Sequence, residues 1–339
     1  MKKEIPYLHL IRTVACLMVV CLHTLPEATS VSNGIDQYFY RFILFLTRPC
    51  VPLFFMISGI LLFPMEGDII QFYKKRLSKI IYPLLVWGVV YAILPYLMNL
   101  ETLKEAIIQC IRLPMTMPRH FGGILWFIYV LIGIYLIIPF VNQKIFSGES
   151  RKYLRIYLLL WLLASGADWM HCYESMILGA TSISTYHLFT YFSGYLGYFI
   201  LGHYLHRYPV ELNKRNILIL ILLFIIPCLF LWRRSSITYS YIMGFLSIGS
   251  IILTFISFVL LSKISIKIEF INNVIRNISK LSFGIYLSHI LVFNVLTIYL
   301  YKYSTTFYMQ IFVMLLTFIG AYILTYLLSK VPFSKFVIG

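Results

Sequence analysis

Arg12 and His23 stand eleven positions apart in YLHLIRTVACLMVVCLHTLP, a run otherwise dominated by apolar and small residues. At ~100° per residue, eleven residues make three helical turns plus about 20°, so both side chains leave one face. At 1.5 Å rise they lie ~16 Å apart along the axis. A histidine is the natural general base near neutral pH and suits removal of a proton from a hydroxyl. An arginine offers an always-charged fork suited to phosphates. Taken singly, Arg12 reads as a snorkelling side chain and His23 as an interfacial one. The shared stripe favours a functional pair. His289 is a second imidazole in an apolar run, SKLSFGIYLSHILVF, with Ser282 and Tyr286 before it. Ionisable groups at membrane depth are costly, so His289 is expected to face the protein interior.

Other polar residues carry weaker signals. In RPCVPLFFMISGILLF, Ser58 and Gly59 follow Phe54 and Phe55. Ser58 reads as a nucleophile or, more simply, as part of a small-residue contact between helices. In FYKKRLSKIIYPLLVW, Arg76 and Lys79 are three apart and share a helix face. With Lys75 they form a phosphate clamp or an ordinary run of cytoplasmic charge. Gly122 and Gly123 precede Trp126 and Tyr129, which are either pocket-forming aromatics or members of an interfacial belt. His203 and His206 read as interfacial. Six single cysteines show no CxxC pair, hence no metal or redox motif. Cys110 and Cys172 fall in loops where a disulfide between them is one option.

The elements that must position these groups are membrane helices. The chain has 339 residues, 60% hydrophobic and only 12% charged. A soluble domain of that length cannot hide so much apolar surface. Ten apolar blocks near the ~20 residues of a bilayer crossing are expected at 6–25, 42–63, 78–98, 123–141, 153–170, 187–206, 216–232, 241–262, 282–301 and 308–330. Trp87, Trp161 and Trp232 mark block ends. The first block is too long for a cleavable signal peptide and lacks its small-residue cleavage pattern. The expectation is an all-α polytopic protein, one transmembrane domain over 1–339 with no appended soluble domain.

The net charge of +16 would suggest nucleic acid in a soluble protein; here the positive-inside rule is the better reading. With both termini in the cytoplasm, about two-thirds of the 28 lysines and arginines fall on the inner side. Arg41, Arg48, Arg112, Arg119 with His120, and Arg233 with Arg234 fall outside. They are solvated loop charges or the lining of an outward pocket for an anionic or sugar acceptor. The outer loops 99–122 and 171–186 are the expected acceptor-selecting parts.

These segments together resemble the membrane-bound acyltransferase family 3. The family's R/K-x10-H signature maps onto Arg12 and His23, and its FFxxSG segment onto FFMISG with Ser58 and Gly59. Its RxxR pattern stands here as Arg76-x-x-Lys79, a departure, since lysine lacks arginine's bidentate fork. LWFIYVLIGIYLIIP and SFGIYLSH are similar to further family segments, and the set runs in order from about residue 6 to 330. The resemblance implies ten helices and transfer of an acyl group, usually acetyl, from acyl-CoA to an extracytoplasmic glycan or lipid, in a bacterial cell membrane, with no metal. It implies roles for Arg12, Arg76, Lys79, Lys75 and Ser58 toward the donor. His23, aided by His289 or Tyr286, would serve as base or as an acyl carrier. Trp126, Tyr129, His120 and Arg48 would face the acceptor. A transporter or flippase of a glycan or anionic intermediate is the rival reading. Its weakness is the scarcity of coupling carboxylates, with Asp168 the one at a membrane edge.

Overall fold

Long apolar runs must satisfy their backbone internally when they meet lipid, and helices are the economical way to do so. The computed structural model describes residues 4–25, 35–65, 67–145, 151–177, 194–231, 244–300 and 307–339, with the backbone alone for 35–37, 142–145, 167–177 and 230–231. Among these residues every regular element is helical.

The helices are α1 (Pro6–Thr24), α2 (Ile35–Thr47), α3 (Cys50–Leu62), α4 (Ile69–Leu97) and α5 (Leu103–Arg112). A 3-10 turn (Gly122–Leu125) leads into α6 (Trp126–Ile145). Then follow α7 (Arg151–Ile177), α8 (Leu196–Arg207), α9 (Lys214–Leu231), α10 (Ile248–Lys263), α11 (Glu269–Leu300), α12 (Phe307–Lys330) and α13 (Ser334–Val337). Among the described residues, six segments are long and apolar enough to cross a membrane: Pro6–Thr24, Tyr38–Leu62, Ile69–Leu97, Gly122–Val141, Glu269–Leu300 and Phe307–Lys330. The other four expected blocks overlap α7, α8, α9 and α10.

Two boundaries differ from the sequence expectation for identifiable reasons. The block at 42–63 is a broken helix, interrupted at Arg48 and Pro49. Proline lacks the backbone N–H and disfavours helical geometry in the residue before it. Because α2 starts at Ile35, Arg41 is a helical residue, and it is buried at 5% exposure rather than sitting in a solvated loop. Helix α4 begins at Ile69, capped by Asp68, whose Oδ2 accepts from Gln71 N at 2.9 Å. The basic run Lys74–Lys79 therefore lies on the helix. Hydropathy sees only the apolar stretch and not the polar turns that extend it.

The chain forms two compact units. The first comprises Met1–Pro64 and Asn142–Arg276; the second comprises Met65–Val141 and Asn277–Gly339. In the first unit, α3 and α8 pack backbone to backbone. A Cβ on Gly59 would stand 2.0 Å from the Phe199 carbonyl oxygen, and one on Gly202 would stand 2.3 Å from that of Met56. Apolar burial drives little association inside lipid, so close approach at small residues matters more. Trp161 of α7 fills the space left by Gly197 and donates its indole N–H to the Gly194 carbonyl at 2.9 Å. The buried stripe Leu8, Ile11, Ala15 and Val19 faces α1 inward.

In the second unit, Trp87 and Tyr91 of α4 act as anchors. Trp87 Nε1 donates to the Val337 carbonyl at 2.9 Å and Tyr91 Oη to that of Leu287 at 2.5 Å. Gly284 brings α11 against Thr325 of α12, where a Cβ would meet the threonine methyl at 2.3 Å.

Candidate functional site

Helix α1 carries both Arg12 and His23, and neither belongs to its buried stripe. Arg12 is half-buried near the start, while His23 is exposed in the last turn. Arg48, at the break between α2 and α3, is close enough to His23 to act on it electrostatically. The Arg48 guanidinium also lies 5.5 Å from the Phe245 ring centroid, ahead of α10. Three separate parts of the first unit are thus linked through Arg48. An imidazole beside a fixed guanidinium can accept a proton while the neighbouring cation stabilises a developing oxyanion. The sequence suggests acceptor binding for Arg48 and does not place it with His23.

The Arg12 end of α1 has its own polar cluster, absent from the sequence expectation. His9 Nε2 lies 3.5 Å from Glu4 Oε1, and Arg276 Nη2 bonds the other carboxylate oxygen of Glu4. Arg12 and Arg276 both act electrostatically on His9. The Thr13 hydroxyl donates to the Ile275 carbonyl at 3.0 Å, holding this part of α11 against α1. The signal for His9 was its spacing of three from Arg12, one helix face. No local signal marks Arg276, more than 260 residues away. Alongside, Tyr7 Oη bonds His206 Nδ1 at 2.6 Å, while His203 is buried with Phe63 edge-on at 5.9 Å.

The Ser58 hydroxyl donates to the Phe54 carbonyl of its own helix at 2.9 Å. Together with the contact at Gly59, this is the geometry of helix packing.

The second unit carries the remaining candidates. His289 is fully buried, and its Nδ1 lies 2.6 Å from the Tyr286 carbonyl. A carbonyl only accepts, so Nδ1 bears the proton and a neutral ring has its lone pair on Nε2. Tyr286 is buried, its hydroxyl donates to the Ile124 carbonyl, and its ring packs on Phe283 and Phe127. Tyr129 donates its hydroxyl to the Leu113 carbonyl, fixing the turn after α5. Trp126 is half-buried. His120 is 44% exposed and lies 3.2 Å from Glu101, whose side chain is only 6% exposed and also bonds Gln109. On α4, Arg76 is half-buried while Lys75 and Lys79 are exposed.

Cys110 is a free thiol. The side chains of Cys172 and Asp168, and all of Trp232, Arg233 and Arg234, lie outside the described residues, as does most of the 171–186 loop.

A family model described as an acyltransferase domain, that of acyltransferase family 3, matches residues 5–328. No curated protein and no solved structure matches the chain.

Proposed function

This chain belongs to acyltransferase family 3, and on that premise we propose that it moves an acyl group, acetyl by preference, from cytoplasmic acyl-CoA to a hydroxyl of an extracytoplasmic glycan or lipid-linked acceptor. The proposal includes ten membrane crossings, with α7, α8, α9 and α10 spanning alongside the six longer apolar segments. Both termini are then cytoplasmic, in the cell membrane of a bacterium.

The observation that carries this reading is the single helix α1, with Arg12 near one end and His23 exposed beside Arg48 at the other. His23 takes the proton of the acceptor hydroxyl as its oxygen attacks the thioester carbonyl carbon. The new C–O bond forms, the C–S bond breaks, and the sulfur leaves as the CoA thiol with the proton returned by His23. Arg48 stabilises the oxyanion of the tetrahedral intermediate. Arg12 attracts the donor phosphates, and Arg76, Lys75 and Lys79 on α4 have the charge for the same task. His289 and Tyr286 are proposed as buried positioning groups.

The test uses membranes containing the full chain and labelled acetyl-CoA. His23→Ala is expected to lower transfer into envelope glycans and lipids by about 10²–10⁴, the usual contribution of a general base. Full activity in that variant would exclude His23 from the chemistry.

A further inference from the structure

A second basic cluster in the first unit lies outside the α1 stripe, where α7 starts and α8 ends. On α7, Arg151 and Arg155 lie one turn apart, and both are exposed. Arg155 Nε donates to the Tyr204 hydroxyl at 2.9 Å, and Arg151 donates to the same oxygen. The Arg151 guanidinium lies 4.6 Å from the Tyr208 ring centroid, and that of Arg207, the last residue of α8, lies 5.8 Å from it. The Tyr204 and Tyr208 rings are 5.2 Å apart. Among the described residues the ion pairs use Glu4 and Glu101, neither of them here.

Three guanidiniums are therefore gathered on two tyrosines, without a described carboxylate among them. The positive-inside rule requires only basic residues in a loop; it needs neither arginine in particular nor fixed forks. Fixed, exposed forks match tetrahedral oxyanions bidentately and lose little freedom on binding. We propose that Arg151, Arg155 and Arg207 form a phosphate-ester binding site, with Tyr204 and Tyr208 holding the forks in place. The ester comes either from a nucleotide-type donor such as CoA or from the headgroup of an anionic phospholipid. The site stands independently of acyl transfer.

The test uses the purified full chain in a neutral detergent free of phosphate. One arm measures affinity for CoA and dephospho-CoA. The other measures the thermal midpoint in nanodiscs of phosphatidylglycerol against phosphatidylcholine. The double variant Arg151→Ala/Arg155→Ala is expected to weaken phosphate binding at least about tenfold, as loss of charge-assisted hydrogen bonds does. Arg155→Lys should recover only part of the loss, since it restores charge without the fork. Tyr204→Phe keeps the ring but releases both forks. It should weaken binding about two- to threefold with the unliganded midpoint unchanged, which separates binding from folding if the double variant does not accumulate. Loss in the CoA arm alone assigns the site to the donor, and loss in the lipid arm alone assigns it to the headgroup. Wild-type behaviour of Arg155→Lys and Tyr204→Phe in both arms overturns the proposal.

Discussion

If His23 is the base and Arg48 the oxyanion partner, as proposed, kinetics can separate their parts. A guanidinium that stabilises an oxyanion acts only in the transition state, so its loss lowers kcat and leaves the KM for acetyl-CoA in place. Arg48→Ala is expected to reduce kcat by about 10²–10³, with Arg48→Lys less affected. A raised acceptor KM with unchanged kcat would instead make Arg48 an acceptor-binding residue. That Arg12 and His23 share one helix was legible from sequence, since rise and turn relate their positions. The electrostatic effect of Arg48 on His23 was not. The place of Arg48 depends on the break at Pro49 and on the Phe245 ring beneath the guanidinium.

At the scale of elements, the α3–α8 contact and the cap of α5 make separate predictions. Gly59→Ala puts a methyl carbon 2.0 Å from a backbone oxygen, which the facing helix can relieve only by moving. Overpacking of this kind costs about 1–3 kcal/mol or more. The thermal midpoint in detergent should fall clearly for Gly59→Ala and little for Ser58→Ala, whose hydroxyl serves only its own helix among the described contacts. Helix α5 lies between membrane segments and opens on a reciprocal cap. The Thr102 hydroxyl accepts from Glu105 N, and the Glu105 carboxylate accepts from Thr102 N at 2.8 Å. These bonds hold the Glu105 carboxyl below its usual value. A depressed carboxyl stabilises the fold above the unfolded value and loses that effect as pH falls through the lowered one. Hydrogen exchange at the first amides of α5, corrected for intrinsic rate, should therefore accelerate below about pH 4.3. Glu105→Gln keeps a neutral acceptor for Thr102 N and should show no such step.

At the scale of the whole molecule, the charge distribution makes the testable statement. If lysine and arginine counts set orientation, reporters fused to both termini will report the cytoplasm, and a tag inserted at Met115 will be reached from outside. Met115 is 88% exposed in the turn after α5, so an insertion there disturbs little packing. Termini found on opposite sides would require an odd number of crossings and overturn the ten-helix topology. The free thiol of Cys110, half-buried on the same helix, offers an independent labelling position.

The sequence alone determined the class of the molecule, all-helical with apolar segments of spanning length. Apolar run length is matched to bilayer thickness, and lipid leaves the backbone few alternatives to the helix. It also determined the α1 stripe and the family, since both are written in local spacing and order. Only the tertiary structure decided which residues complete the stripe. Arg48 beside His23, Glu4 between His9 and Arg276, and the arginines gathered on Tyr204 and Tyr208 are meetings of residues distant in the chain. Hydropathy carries no information about which helices approach, because lipid and helix interiors are equally apolar. That choice rests on glycines facing carbonyl oxygens, as Gly59 faces Phe199 and Gly202 faces Met56.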